Sequence, residues 1–148
     1  MNYPLFTDEY FMNEALKEAR MALSKNEVPV GAVIVAENTV IARAHNSTET
    51  LNDVTAHAEI IAITSAANHL GAKYLTQAIL YVTLEPCIMC AGACHWAQLS
   101  GIVYAASDPK AGYSRIIQNI LHPKTKVTAG ILKKESERML KDYFRGKR

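Results

Sequence analysis

The chain has 148 residues, of which 49% are hydrophobic and 20% charged, and its formal net charge is +2. This is the composition of an ordinary globular protein that is long enough to bury a core, and it excludes a mostly disordered chain. No apolar run approaches the roughly 18 residues that cross a bilayer, and the N-terminal region is acidic where a signal peptide would be basic. We therefore expect a cytoplasmic protein with no membrane partner.

The first predicted element is a helix that begins near Thr7-Asp8, a pair suited to capping the free N–H groups of a first turn. Apolar side chains then recur every three or four positions, which predicts one buried face. The members of this predicted face are Phe11, Ala15, Ala19, Ala22 and Leu23.

A hairpin is predicted next. Residues 28–35 are almost entirely apolar and predict a buried strand, and residues 39–44 predict a second strand. The two residues between them, Glu37-Asn38, suit a tight hairpin turn. Residues 47–55 are polar and predict a loop.

The remainder of the chain alternates helices with strands. The predicted elements are a helix at 57–70 closed by Gly71, a strand at 78–83, a helix at 87–98, strands at 101–106 and 127–129, and a helix at 132–144. Residues 108–126 are predicted to be irregular, with a short helix at 116–121. This alternation predicts a sheet between two helical layers, an α/β/α architecture, and the absence of repeats or linkers predicts one domain over residues 1–148.

Charge is distributed unevenly along the chain. Residues 1–109 contain 5 Lys and Arg against 11 Asp and Glu, a net charge of −6, whereas residues 110–148 contain 11 against 3, a net charge of +8. The basic third indicates a surface for a polyanion. It equally fits a solvated amphipathic helix with a basic tail, and charge alone does not separate these interpretations.

Two short motifs indicate a metal site. They are His57-Ala58-Glu59 and, about thirty residues later, Pro86-Cys87-Ile88-Met89-Cys90. A Cys-x-x-Cys pair alone could be a redox pair or half of a structural zinc site, but no second tight Cys/His pair is present to complete such a site. One histidine and two thiolates are the ligands of a catalytic zinc that keeps one position open for water. We therefore predict zinc ligands at His57, Cys87 and Cys90.

Glu59 and Cys94 lie close to these ligands in sequence. Glu59 follows His57 by two residues, a spacing that does not stack side chains on one helix face, so we predict a proton carrier rather than a ligand. Cys94 is one helical turn beyond Cys90, and we expect a buried free thiol there. Glu85 is expected to order the end of its strand rather than to take part in chemistry.

These motifs resemble those of the zinc-dependent cytidine and deoxycytidylate deaminase superfamily, whose signature is His-x-Glu followed by Pro-Cys-x-x-Cys. Further segments resemble the bacterial tRNA adenosine deaminases, which convert a wobble adenosine to inosine, over about residues 7–148. These segments are residues 28–33, 45–46, 55–59, 90–93, 108–112 and 143–148. The resemblance implies a cytidine-deaminase-like fold, with a mixed five-stranded sheet between helices, and Zn²⁺ as the cofactor.

The resemblance also implies roles for residues outside the metal site. Asn46 and Ala58 should contact the flipped-out nucleoside, and Asp108 and Lys110 should touch nucleotides of a tRNA anticodon arm. The residues expected at the RNA backbone are Phe144, Arg145, Lys147 and Arg148. The family is homodimeric, with active sites near the subunit interface. The excess of basic residues begins at Lys110, in agreement with an RNA substrate.

The sequence departs from the family pattern at Ser107, at Tyr113-Ser114 and at Thr125-Lys126, all in the region expected to face RNA. Two alternative functions therefore stay open. One is a deaminase of guanine or another free nucleobase or nucleoside, which would share the zinc motifs without needing the basic third. The other is a zinc-stabilised RNA-binding module without catalysis, which would need no Glu59.

Overall fold

The computed structural model describes residues 2–116 and 118–147. In chain order its helices and strands are α1 (Asp8–Ser24), β1 (Gly31–Ala36), β2 (Thr39–His45), α2 (Ala58–Leu70), β3 (Ala78–Leu84), α3 (Ile88–Ala97), β4 (Gly101–Ala106), β5 (Lys126–Ala129) and α4 (Lys133–Arg145). Apart from a short helix predicted at 116–121, the type and order of these elements agree with the sequence predictions.

All five strands belong to one sheet with the order β2-β1-β3-β4-β5. β1 is antiparallel to both β2 and β3, whereas β3, β4 and β5 run parallel to one another. The predicted mixed five-stranded sheet is therefore confirmed. The assignment of residues 1–148 to a single domain stays a prediction.

Helices cover both faces of the sheet because the side chains of a strand alternate between its faces. Ala32 and Ile34 of β1 pack in a core with α2 and α3. Val33 and Val35 point to the other face and pack with Phe11 of α1. This arrangement confirms the three-layer α/β/α fold.

The start of α1 and the hairpin form as the sequence predicts. The Thr7 hydroxyl accepts a hydrogen bond from the Tyr10 N–H, which is the expected cap. Glu37 and Asn38 both have positive φ values, 50° and 58°, as a two-residue turn of type I′ requires. The prediction that Leu23 is buried is wrong: it is 39% exposed, because α1 directs Met12 and Leu16 into the core instead.

Two predicted boundaries differ from the structure. β1 begins at Gly31 rather than at residue 28, since Pro29 has no N–H for a sheet ladder. The short helix predicted at 116–121 is wrong for the described residues, because only a 3₁₀ turn at Tyr113–Arg115 forms in this region. The Asn119 side chain accepts the N–H of Leu121, a local bond that competes with helix formation.

One edge of the sheet gathers the chain segments that carry the motifs. β3 and β4 are parallel neighbours, so Glu85 after β3 and Asp108 after β4 emerge at the same edge. β2 runs in the same direction as β3, so Asn46, which follows β2, lies at the same edge. β1 is antiparallel to both strands and therefore begins at this edge. None of the helices in the described part of the chain combines the length and apolar character needed to cross a membrane.

Candidate metal centre and substrate cavity

The predicted ligands lie at the starts of two helices. His57 is the N-cap residue of α2, Cys87 is the N-cap residue of α3, and Cys90 lies in the first turn of α3. Neither N-cap side chain makes a capping hydrogen bond to its own helix, so both can face a common point. The N–H groups and the dipole at the start of α3 stabilise negative charge, which favours thiolate at both cysteines.

The structure brings these three ligand atoms together. His57 Nδ1 lies 3.6 Å from Cys87 Sγ and 3.5 Å from Cys90 Sγ, and the three atoms lie within 4.8 Å of one another. Zn–N and Zn–S bonds of about 2.05 and 2.3 Å at a tetrahedral angle place N and S about 3.6 Å apart. The spacing therefore fits a zinc ion held by His57, Cys87 and Cys90.

The same three groups shift one another's pKa values. A hydrogen bond from the Cys90 thiol, reinforced by His57, lowers the pKa of Cys87 to about 4. The same bond, followed by burial, raises the pKa of Cys90. The hydrogen bond with Cys87 raises the pKa of His57. A divalent cation held between these atoms would favour thiolate at both cysteines and release their protons.

Glu59 lies in the first turn of α2 and is only 4% exposed. Burial raises the pKa of its carboxyl to about 7. Within residues 2–116 and 118–147 it does not join the metal-ligand cluster, and its role as a proton carrier stays a prediction. A carboxyl group with a pKa near neutrality can both accept and donate a proton during one reaction.

A cavity of about 240 Å³ lies beside these groups. Its lining comprises Val28, Val30, Asn46, Thr48, His57, Glu59, Leu84, Glu85, Cys87, Asp108 and Ala111. The cavity therefore unites His57, Cys87 and Glu59 with Asn46 and Asp108. Asn46 is buried, and its backbone N–H bonds to the carbonyl of Val30, which fixes it at the cavity wall.

Two other predicted residues lie outside this cavity lining. Ala58 is completely buried and packs its side chain in the core, so the cavity offers no Ala58 side chain to a substrate. Cys94 is a free thiol, 1% exposed, in the core behind the metal ligands. Cys94 is therefore the buried free thiol that the sequence predicts, and burial raises its pKa.

Glu27, which the sequence motifs did not single out, anchors one loop of the cavity wall. It is 1% exposed and accepts hydrogen bonds from the N–H of Glu49 and from both the N–H and the hydroxyl of Thr50. Burial alone would raise the pKa of Glu27, but these hydrogen bonds outweigh it and hold the pKa below its usual value. The sequence signal that could have identified Glu27 was its position, an acidic residue directly before the apolar residues 28–35.

A second, larger groove of about 550 Å³ lies between the residues after β4 and helix α4. It is lined by Asp108, Pro109, Lys110, Leu140, Lys141, Phe144 and Arg145. Asp108 belongs to both the groove and the cavity, so the two are contiguous. Phe144 is 50% exposed, which leaves much of its ring open to solvent.

The other residues expected near RNA have varied positions. Lys147 donates a hydrogen bond to the side chain of Asn26, and Ser107 is exposed. Arg148 lies outside the described residues. Thr125 donates its hydroxyl to the Leu99 carbonyl and Lys126 begins β5, so this pair contributes to the structure of the sheet edge.

The chain is similar to known proteins in both sequence and fold. The family described as "Cytidine and deoxycytidylate deaminase zinc-binding region" matches residues 6–106. A tRNA-specific adenosine deaminase of Bacillus subtilis is 46% identical over 93% of this chain and 89% of its own length. A tRNA-specific adenosine deaminase of Agrobacterium fabrum is 46% identical over 94% of this chain and 95% of its own length.

Solved structures give similar results. A tRNA:A34 deaminase, which edits A to I at the wobble position of transfer RNA, has a TM-score of 0.83 and 47% identity, over 88% of this chain and 98% of its own. A guanine deaminase of Bacillus subtilis has a TM-score of 0.64 and 41% identity, over 72% of this chain and 66% of its own.

Proposed function

Because the chain belongs to the family of tRNA-specific adenosine deaminases, within the deaminases that share the cytidine and deoxycytidylate deaminase zinc-binding region, we propose that it converts a wobble adenosine of tRNA to inosine. The reaction consumes water and releases ammonia. The observation that carries the proposal is the cavity in which a zinc-compatible cluster, the buried Glu59 carboxyl and Asn46 meet.

In this reaction His57, Cys87 and Cys90 would hold zinc, and two thiolates with a neutral imidazole would balance its charge. When bound, zinc supplies the activation of water for nucleophilic attack at neutral pH. The Glu59 carboxyl takes a proton from that water and returns protons to the base and to the departing amine. Asn46, which also lines the cavity, contacts and orients the nucleoside.

The dimensions of the cavity favour a single base that has left its stack. A volume of about 240 Å³ is smaller than the roughly 300–1,000 Å³ of sites for drug-sized ligands. A base within a folded anticodon loop would therefore enter alone, as in other enzymes that flip a nucleotide before they modify it. Apolar side chains of Val28, Val30 and Leu84 offer contact to its ring.

The contiguous basic groove is the proposed path of the flanking RNA. Lys110, Lys141 and Arg145 supply cations, and the exposed ring of Phe144 supplies a surface on which a base can stack. Asp108 would contact the nucleotide beside the target adenosine, and Lys147 and Arg148 would extend the phosphate contacts. A tRNA substrate also fits the expected cytoplasmic location, which stays a prediction.

We expect zinc-loaded protein to produce inosine in an anticodon stem-loop and to turn over free guanine and free cytidine far more slowly. RNA affinity should fall steeply between about 50 and 200 mM salt, because bound phosphates release counterions. The Arg145→Ala variant should reduce the slope of log affinity against log salt by about 1. The measurements are mass spectrometry of digested RNA and binding titrations.

Lys73→Ala is the matched control for that titration, because Lys73 is exposed beside Tyr74 at the far end of α2 and outside the groove. Its salt slope should equal that of the unmodified protein. Turnover of guanine in preference to RNA, insensitive to salt, would contradict the tRNA substrate. It would favour the alternative suggested by the guanine deaminase relative.

A homodimer is also proposed, on the basis of large apolar side chains that remain exposed near the metal centre. Trp96 and Ile88 of α3 are 75% and 57% exposed, and Val54 in the loop before α2 is 86% exposed. Large apolar side chains that are exposed to solvent favour burial against a partner. Light scattering should give twice the mass of the chain, and Trp96→Glu should shift it toward the monomer. A monomeric unmodified protein at micromolar concentration would contradict the proposal.

A further inference from the structure

Glu85 is a buried carboxyl at the end of β3, two residues before the ligand Cys87, and is 3% exposed. One of its oxygens accepts the N–H of Asp108 at 3.0 Å, and the other accepts the N–H of Ser114 at 2.9 Å. Both oxygens are therefore engaged by backbone donors from one segment, residues 108–114. A carboxyl held in this way is suited to holding a loop rather than to carrying protons.

Gly112 shows how closely this segment lies against Glu85. A Cβ atom at Gly112 would lie 2.4 Å from the carboxyl carbon of Glu85 and 2.5 Å from each of its oxygens. Such distances are far below van der Waals contact, so only glycine allows the loop to close over the carboxyl. Gly112 and the carboxyl of Glu85 are therefore sterically complementary.

Further bonds join the same segment to the start of α3. Tyr113 donates its N–H to the Pro86 carbonyl at 2.9 Å, and Gly112 forms a bridge with Cys87. Within the segment, the Asp108 side chain accepts the N–H groups of Lys110 and Ala111. Hydrogen bonds within residues 108–114 therefore shape the loop. The hydrogen bond to Pro86 and the bridge to Cys87 attach it to the start of α3, beside the metal ligands.

The attached unit carries side chains of both substrate surfaces. Asp108 and Ala111 line the cavity, and Lys110 lines the basic groove. We propose that Glu85 is a positioning residue that fixes residues 108–114 against the start of α3 and thereby sets the affinity for the RNA substrate. The effect on RNA affinity rests on the proposed function. The attachment of residues 108–114 by Glu85 does not depend on it.

Glu85→Gln tests the inference, because the amide keeps the size of the side chain but presents an N–H₂ group to one of the two backbone donors. We expect KM for an anticodon stem-loop to rise about tenfold or more, while kcat stays within about threefold and zinc content stays at one per chain. Hydrogen exchange at the amides of Asp108 and Ser114 should become faster. Gly112→Ala should raise KM in the same way, since its Cβ displaces the loop with Glu85 intact.

Tyr81→Phe is the control for a purely structural loss, because it removes a hydrogen bond to Asp8 on the opposite face of the sheet. It should lower the unfolding temperature without changing KM or the exchange of the two amides. Unchanged exchange at Asp108 and Ser114 in Glu85→Gln would overturn the positioning role whatever the substrate. Faster exchange with unchanged KM would overturn its link to RNA affinity, and failure of the unmodified protein to deaminate RNA would instead overturn the proposed function.

Discussion

Replacement of Glu59 by glutamine is expected to lower kcat for RNA deamination by about 10²–10⁴-fold, the usual contribution of a general acid–base group. The amide has nearly the same shape as the carboxyl but cannot take a proton from water or return one to the departing amine. Since Glu59 is not one of the three clustered ligands, zinc should remain at one ion per chain. Single-turnover kinetics and metal analysis of the same preparation measure both quantities.

Glu14→Gln is a suitable control for that experiment. Glu14 is an acidic residue on α1 that pairs with Lys17 and Arg43, away from the cavity. The control should retain the kcat of the unmodified protein. If Glu59→Gln kept full activity, the proton-transfer role of Glu59 would be wrong. If the unmodified protein bound RNA but formed no inosine, a zinc-stabilised RNA-binding module would be favoured instead.

Replacement of Cys90 by alanine is expected to remove most of the bound zinc and, with it, deamination. The variant leaves one imidazole and one thiolate, fewer than the three protein ligands of a catalytic zinc site. Because metal binding contributes to folding free energy, the unfolding temperature should also fall. Zinc content by atomic absorption, activity and thermal unfolding are the three measurements.

Cys94→Ala provides a close comparison, because Cys94 lies one helical turn further along α3 and is buried like Cys90. Removal of its thiol should cost modest stability through lost packing, of the order of 1 kcal/mol, and should leave zinc content unchanged. Equal loss of zinc in the two variants would contradict the assignment of His57, Cys87 and Cys90 as the complete set of protein ligands.

The extent to which sequence could predict this site differs from residue to residue. The metal ligands were predictable because their signal is local: two short motifs, each at a helix start recognisable from its own neighbourhood. Glu59 was separable from the ligands by its spacing from His57. In contrast, Glu27 and Glu85 hold loops more than twenty residues away, and their partners are mainly backbone N–H groups, which every non-proline residue possesses.

The same contrast holds for the fold. The strands and helices were predictable from apolar periodicity and from turns such as Glu37-Asn38, which impose a local geometry. The irregular segment between β4 and β5 was not, because it has little periodicity. Its conformation depends on contacts with Glu85, Pro86 and Cys87, which only the folded chain brings near.

The sequence by itself determined the α/β alternation, the choice of the three residues that can hold a metal ion, the separation of Glu59 from them and the concentration of positive charge after residue 109. These properties depend on residue type and short spacing. Only the tertiary structure decided that Asn46 and Asp108 share the metal cavity, and that Ala58 is sealed in the core. It also decided that the buried carboxyls of Glu27 and Glu85 hold the surrounding loops. The physical reason is that the parallel and antiparallel strands deliver distant segments to one edge of the sheet, and their register is set by the packing of the whole domain.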